Sequence, residues 1–160
     1  MLSVSEIVAT LRELAVTHVV WVPDSSTGPW EAALDAEPGL TLIRVCREGE
    51  AWPLAAGLLL GGMRPLIVMQ STGLFESGDA LRNVLFDLQL PLLAIVGYRS
   101  YLVEGSADSA RRFTEPILNA WGLRYVLVRG TGELTTMADH FRDCQKRSEP
   151  GVALLAEGRM

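Results

Sequence analysis

Lysine is almost missing from this sequence. Lys146 is the only one in 160 residues, and 14 basic against 19 acidic side chains leave a formal net charge of −5. No run of Lys or Arg could track a phosphate backbone or an anionic membrane surface, which excludes the common electrostatic modes of nucleic-acid and lipid binding. Cysteine is equally sparse. Cys46 and Cys144 lie far apart, with no CxxC and no Cys/His cluster, so neither a disulfide framework nor a zinc site is indicated. Both read as reduced thiols of a cytoplasmic protein. The longest apolar run, Leu54 to Met63, is too short and too glycine-rich to span a bilayer. Residues 1–6 show no basic stretch leading into an apolar core, so a secretory signal is not expected there. The two histidines, His18 and His140, have no metal-ligand company. No GxGxxG follows the first apolar run, and neither a phosphate-binding P-loop nor a GxSxG elbow occurs.

What is present is apolar and regular. Forty-nine percent of the residues are hydrophobic, enough for one domain over residues 1–160 with a sizeable core. Ser3-Val4-Ser5-Glu6 has capping-box spacing, and Ile7, Leu11 and Leu14 follow at helical intervals. Short continuous apolar runs come at 19–22, 40–46, 66–70, 92–96, 125–128 and 152–155. Between them the pattern predicts helices over about 29–36, 50–61, 78–88, 115–121 and 131–147. Pro53 fits the second of these only in its first turn, which puts Glu48 at the strand-to-helix junction. Residues 98–112 read as a long polar loop.

Buried strands alternating with helices specify an α/β fold: a doubly wound, mainly parallel six-stranded sheet with helices on both faces. Ligands of such sheets sit beyond the carboxyl ends of the strands, so the loops to search are 23–29, 46–50, 70–77 and 97–112. Residue chemistry alone leaves these loops open. Glu48 and Glu50 suit a helix N-terminus through the helix dipole as well as they suit catalysis. Asp24 suits a turn as well as a substrate contact. Gly130-Thr131-Gly132 is either an anion nest or a plain turn. Arg99, Arg111 and Arg112 could hold an anionic substrate tail or simply face solvent. Trp52 and Trp121, at helical positions, read as packing or interface residues.

Three segments occur together in order. Val22-Pro23-Asp24-Ser25 closes the first strand. Arg47-Glu48-Gly49-Glu50 follows the second and leads through Ala51-Trp52-Pro53 to Leu54-Ala55-Ala56-Gly57. Met69-Gln70-Ser71-Thr72-Gly73-Leu74 closes the third. This arrangement resembles the pyrimidine-binding domain of thiamine-diphosphate-dependent decarboxylases, the sulfopyruvate and phosphonopyruvate decarboxylases above all, over roughly residues 3–128. The resemblance implies that Glu48 is the catalytic acid that hydrogen-bonds the cofactor's aminopyrimidine. It implies that Gln70, Ser71, Thr72, Gly73 and Leu74 line that ring, and that Asp24 and Ser25 lie toward the substrate; Arg99, by its charge, is the cation expected at the same end. A carboxylic acid at the ring nitrogen favours the tautomer that can take the thiazolium proton, and a carboxyl group with a raised pKa suits that task.

The same resemblance implies a missing half. The diphosphate and Mg²⁺ are held in these enzymes by a GDG motif with a downstream Asn. The only Gly-Asp pair here is Gly78-Asp79, followed by Ala80 on a predicted helix. A partner β subunit carrying that motif is therefore implied, in an α2β2 or larger assembly acting on a 2-oxo acid. Two departures stand out. Phe75 and Glu76 replace the family's glycine and asparagine, and the loop after the fourth strand holds no histidine. They leave open a non-catalytic module that binds or regulates a partner enzyme, and a small-molecule enzyme that acts alone.

Overall fold

Six strands build the molecule: β1 (His18–Trp21), β2 (Thr41–Arg44), β3 (Pro65–Gln70), β4 (Leu93–Tyr98), β5 (Tyr125–Val128) and β6 (Gly151–Ala156). The structure is a computed structural model that describes residues 3–158. The strands form one sheet in the order β2-β1-β3-β4-β6-β5, and every adjacent pair is parallel. All six residues of β3 and all six of β4 are buried, the continuous burial expected of strands covered on both faces.

Helices α1 (Val4–Glu13), α2 (Glu31–Asp35) and α7 (Leu134–Arg147) cover one face. Their Ile7, Leu11, Leu34, Met137 and Phe141 pack with Leu66, Val68 and Ile95 of the sheet. Helices α3 (Glu48–Leu60), α4 (Ser71–Glu76), α5 (Gly78–Arg82) and α6 (Ser109–Ala120) cover the other. There Trp52, Leu74, Leu81 and Leu118 meet Ile67, Met69 and Val96. Alternate residues of one strand thus feed separate cores, as the two-residue period of a strand requires. No helix among the described residues is long and apolar enough to cross a membrane.

The winding creates a crevice. The connection from β1 to β2 runs over the first face through α2, while that from β2 to β3 runs over the second through α3. The chain therefore leaves β1 and its neighbour β3 in opposite directions. At such a switch point the loops part and a ligand can sit between them.

Several predicted boundaries move. The capping box does not form: Ser3 occupies the N-cap position of α1 without a side-chain cap bond, and its Oγ lies 2.9 Å from Ser5 Oγ. Helix α3 starts at Glu48, not near residue 50, so Pro53 lies beyond its first turn, with its ring on the exposed side. The expected loop after β3 is largely helical: Gln70, still extended, occupies the N-cap position of a short α4 without a side-chain cap bond. Helix α6 starts at Ser109, well before the predicted 115. Asp108 accepts a hydrogen bond from the Ala110 N–H at 3.0 Å and nucleates the helix, while Ala110, Thr114 and Leu118 carry its buried stripe.

Trp52 is a packing residue. It is fully buried, and its indole Nε1 donates to Ser77 Oγ at 2.9 Å. Ser77→Ala leaves that donor unpaired in an apolar core, and the expected cost is about 1–3 kcal/mol. A urea titration should show a lower midpoint with an unchanged slope.

Candidate active site at the carboxyl edge of the sheet

Glu48 is the first residue of α3 and is half-buried. Arg47 precedes it in extended conformation, φ −144° and ψ 143°, and offers no side-chain cap. The cap comes from another helix. Glu76, at the end of α4, accepts the Gly49 N–H at 2.8 Å and binds the Arg47 guanidinium, with Nε at 3.1 Å. Arg47, and after it the Gly49 N–H, holds the Glu76 carboxyl below its ordinary range. Glu76, which departs from the related motif, is thus tied to the segment that presents Glu48.

The Glu48 side chain lies against Gly73. A Cβ on Gly73 would fall 2.3 Å from Glu48 Cγ and 2.5 Å from Oε1, so only glycine lets the carboxyl take this position. Gln70 ends β3 and is buried, and its Oε1 accepts from Thr72 Oγ1 at 3.2 Å. Ser71, also buried, donates from Oγ to the Gly97 carbonyl at the end of β4, 2.8 Å away. The structure therefore gathers Glu48, Gln70, Ser71, Thr72 and Gly73 at one edge. Leu74 points into the second core and is fully buried.

The residues assigned to the substrate end are held differently. Asp24 Oδ1 accepts from the Ser26 and Thr27 N–H groups at 2.6 and 3.0 Å, and Oδ2 accepts from Thr27 Oγ1 at 2.7 Å. Thr27 Oγ1 in turn accepts the buried Trp21 Nε1 at 3.0 Å. Asp24 thus shapes the turn after β1, while Ser25 is exposed on it. Arg99 donates to Asp108 Oδ2 at 2.9 Å, an oxygen that also accepts from Ser100 Oγ. The Ala110 N–H first, then the Ser100 hydroxyl, keep the Asp108 carboxyl below its ordinary range. Arg111 reaches the Val103 carbonyl at 2.7 Å, and Arg112 stacks on Phe113. A cavity of about 570 Å³ between Tyr98, Tyr101, Arg112 and Glu115 shares no lining residue with the Glu48 cluster.

Elsewhere the plainer assignments hold. Glu50 accepts the Cys46 N–H at 3.2 Å. Thr131–Glu133 is a single 3₁₀ turn after an extended Gly130. Both histidines lie away from this edge. His18 opens β1 at the opposite end, and His140 on α7 packs beside Cys144 and the first residue of β6.

One acid escaped sequence reasoning. Glu157 follows β6 directly and is only 9% exposed. Its carboxyl lies across Gly97, where a Cβ would come 2.0 Å from Oε1. Burial first, then the charge of Asp24, raises its pKa to about 7, against a Ser26 hydrogen bond and the charge of Arg99. An acid closing an apolar strand at the ligand edge was the one signal in the sequence, and nothing local separates it from a solvated chain end.

With this geometry in view, similarity to known proteins decides the family resemblance. A sulfopyruvate decarboxylase subunit alpha of Methanothermobacter thermautotrophicus is 26% identical over 153 residues, covering 93% of this chain and 92% of the relative. The chain is similar to sulfopyruvate and phosphonopyruvate decarboxylases. A phosphonopyruvate decarboxylase of Streptomyces viridochromogenes is 32% identical over 136 residues, which are 82% of this chain but 34% of that protein. A sulfopyruvate decarboxylase of Methanosarcina acetivorans is 28% identical over 116 residues, 71% of this chain and 30% of its own length. The chain thus spans about a third of these two longer decarboxylases and nearly all of the alpha subunit. No family model matches it.

Proposed function

We propose that this chain is the α subunit of a heteromeric thiamine-diphosphate-dependent 2-oxo-acid decarboxylase of the sulfopyruvate or phosphonopyruvate type. The observation that carries the proposal is the contact of Glu48 with Gly73 beside the switch-point crevice. A carboxyl group with a glycine cleared for it, in the turn that begins with the buried Gln70 and Ser71, suits one edge of a planar aminopyrimidine. Coverage of a whole alpha subunit, but only a third of the longer relatives, supports a division of the site between two chains.

In this reading the cofactor supplies the electron sink for loss of CO₂. Glu48 holds a proton at the ring nitrogen and so sets the tautomer of the aminopyrimidine. Gln70, Ser71, Thr72 and Gly73 orient the ring, and Leu74 anchors their turn in the core. Asp24 and Ser25 belong to the turn that approaches the substrate end, where Arg99 supplies a cation. Diphosphate and Mg²⁺ belong to the β subunit and its GDG motif, in an α2β2 or larger complex.

The chain alone is expected to be inactive. Mixed with a partner that carries the GDG motif, thiamine diphosphate and Mg²⁺, it should release CO₂ from a 2-oxo acid such as sulfopyruvate or phosphonopyruvate. A stable complex without thiamine-dependent turnover would instead support a regulatory module, and turnover by the isolated chain would support an enzyme that acts alone.

A further inference from the structure

Glu157 is placed for more than structure. Ile95, Ala153 and Leu155 belong to the first core, and the two-residue strand period puts Gly97 and Glu157 at the top of that same face. Gly97 pairs in register with Gln70, so the Glu157 carboxyl lies one strand, roughly 5 Å, from the column that carries Gln70. Charged groups face it from two loops, Asp24 after β1 and Arg99 after β4, and the Ser26 side chain hydrogen-bonds to it. Its Oε2 is fully buried and has no hydrogen-bond partner among the described residues. Buried polar atoms are nearly always paired, so an orphan oxygen at a ligand edge points to a partner that arrives with the ligand.

The chemistry of the proposed reaction asks for such a group. In R–CO–COO⁻ + H⁺ → R–CHO + CO₂, the bond between the carboxylate and the carbonyl carbon breaks. Its electron pair stays on that carbon, and a proton must be delivered there. Each turnover consumes one proton, and the donor must hold it near neutral pH. Neither histidine of this chain reaches the carboxyl edge, and Asp24 uses both carboxylate oxygens within its own turn.

We propose that Glu157 is the proton donor of the substrate end, delivering its carboxyl proton to the carbon from which CO₂ has left and recovering one from solvent past Arg99. The assignment rests on the decarboxylase reading given above. The raised pKa of Glu157 agrees with it, since the group is largely protonated below pH 7 and can be recharged there.

Two measurements test the proposal. Infrared difference spectra of the isolated chain should show a protonated-carboxyl band that titrates near pH 7 and is absent in Glu157→Gln. In the reconstituted complex, Glu157→Gln should slow aldehyde release at least tenfold and remove the alkaline limb of the pH profile. Glu157→Asp should restore part of the rate with a shifted limb. Titration of Glu157 below pH 5, or a Glu157→Gln complex with wild-type turnover and pH profile, would overturn the assignment. A wild-type complex without turnover would sink the decarboxylase reading and the donor role with it, even if the infrared band titrates as expected. The two failures are therefore told apart.

Discussion

Gly73→Ala is expected to silence the reconstituted complex almost as completely as Glu48→Ala, with turnover falling on the order of 10²–10⁴-fold in both. The new methyl group would stand 2.3 Å from Glu48 Cγ and 2.7 Å from Cδ, far inside contact distance. Either the carboxyl swings away or the α4 backbone retreats, and both displace Glu48 from the start of α4. The two variants differ in kind. Glu48→Ala removes the acid, whereas Gly73→Ala keeps it and misplaces it, so the second variant tests geometry alone. Gly57→Ala provides the control. It lies in the same helix as Glu48 with nothing within 4 Å of its Cβ, and it should add about 0.5–1 kcal/mol of stability with turnover unchanged. CO₂ release and circular dichroism on the same preparations check all three. Full activity of Gly73→Ala would remove Glu48 from the chemistry.

A Glu157→Gln chain should be more stable than wild type at pH 8 and indistinguishable from it near pH 4. The Glu157 pKa rises from 4.5 to about 7 on folding. Between these values the folded chain binds more protons than the unfolded chain, so stability must fall as pH rises through that window. Below the unfolded value the carboxyl is neutral in both states and there is no penalty. Above the folded value the full cost of a buried charge is present, about 3 kcal/mol for a rise from 4.5 to about 7. Glutamine is neutral throughout and escapes it. Urea denaturation of both chains at pH 4, 6 and 8 reads the difference directly, and taking that difference cancels the other titrating groups. Asp108, Asp143 and Glu76 have lowered values, so they act in the opposite sense, losing stability as pH falls. A constant difference across the three pH values would mean that Glu157 ionises normally.

The two acids sit at the same edge of the sheet and were unequally visible. Glu48 was legible because it belongs to a contiguous motif, leading through Ala51-Trp52-Pro53 to Leu54-Ala55-Ala56-Gly57, that carries the family resemblance. Glu157 has no such neighbours. Its environment comes from Gly97, Asp24 and Arg99, which are distant in sequence and converge only because β1, β3, β4 and β6 lie side by side. Glu76 shows the same limit. In the sequence it is an added negative charge on a loop; in the fold it closes the N-terminus of α3 through Arg47 and Gly49. Arg99 likewise looked like a cation available to a substrate and is held by Asp108, the residue that starts α6.

The sequence by itself determined the α/β class and the six strands, because apolar runs and helical periods are local properties that burial on two faces enforces. It also singled out Glu48 as the proposed acid, through a motif that stays contiguous along the chain. Only the tertiary structure decided which side chains meet at the carboxyl edge. The parallel winding brings together loops far apart in sequence, and a carboxyl group's burial, partners and charge depend on that packing rather than on the residues beside it.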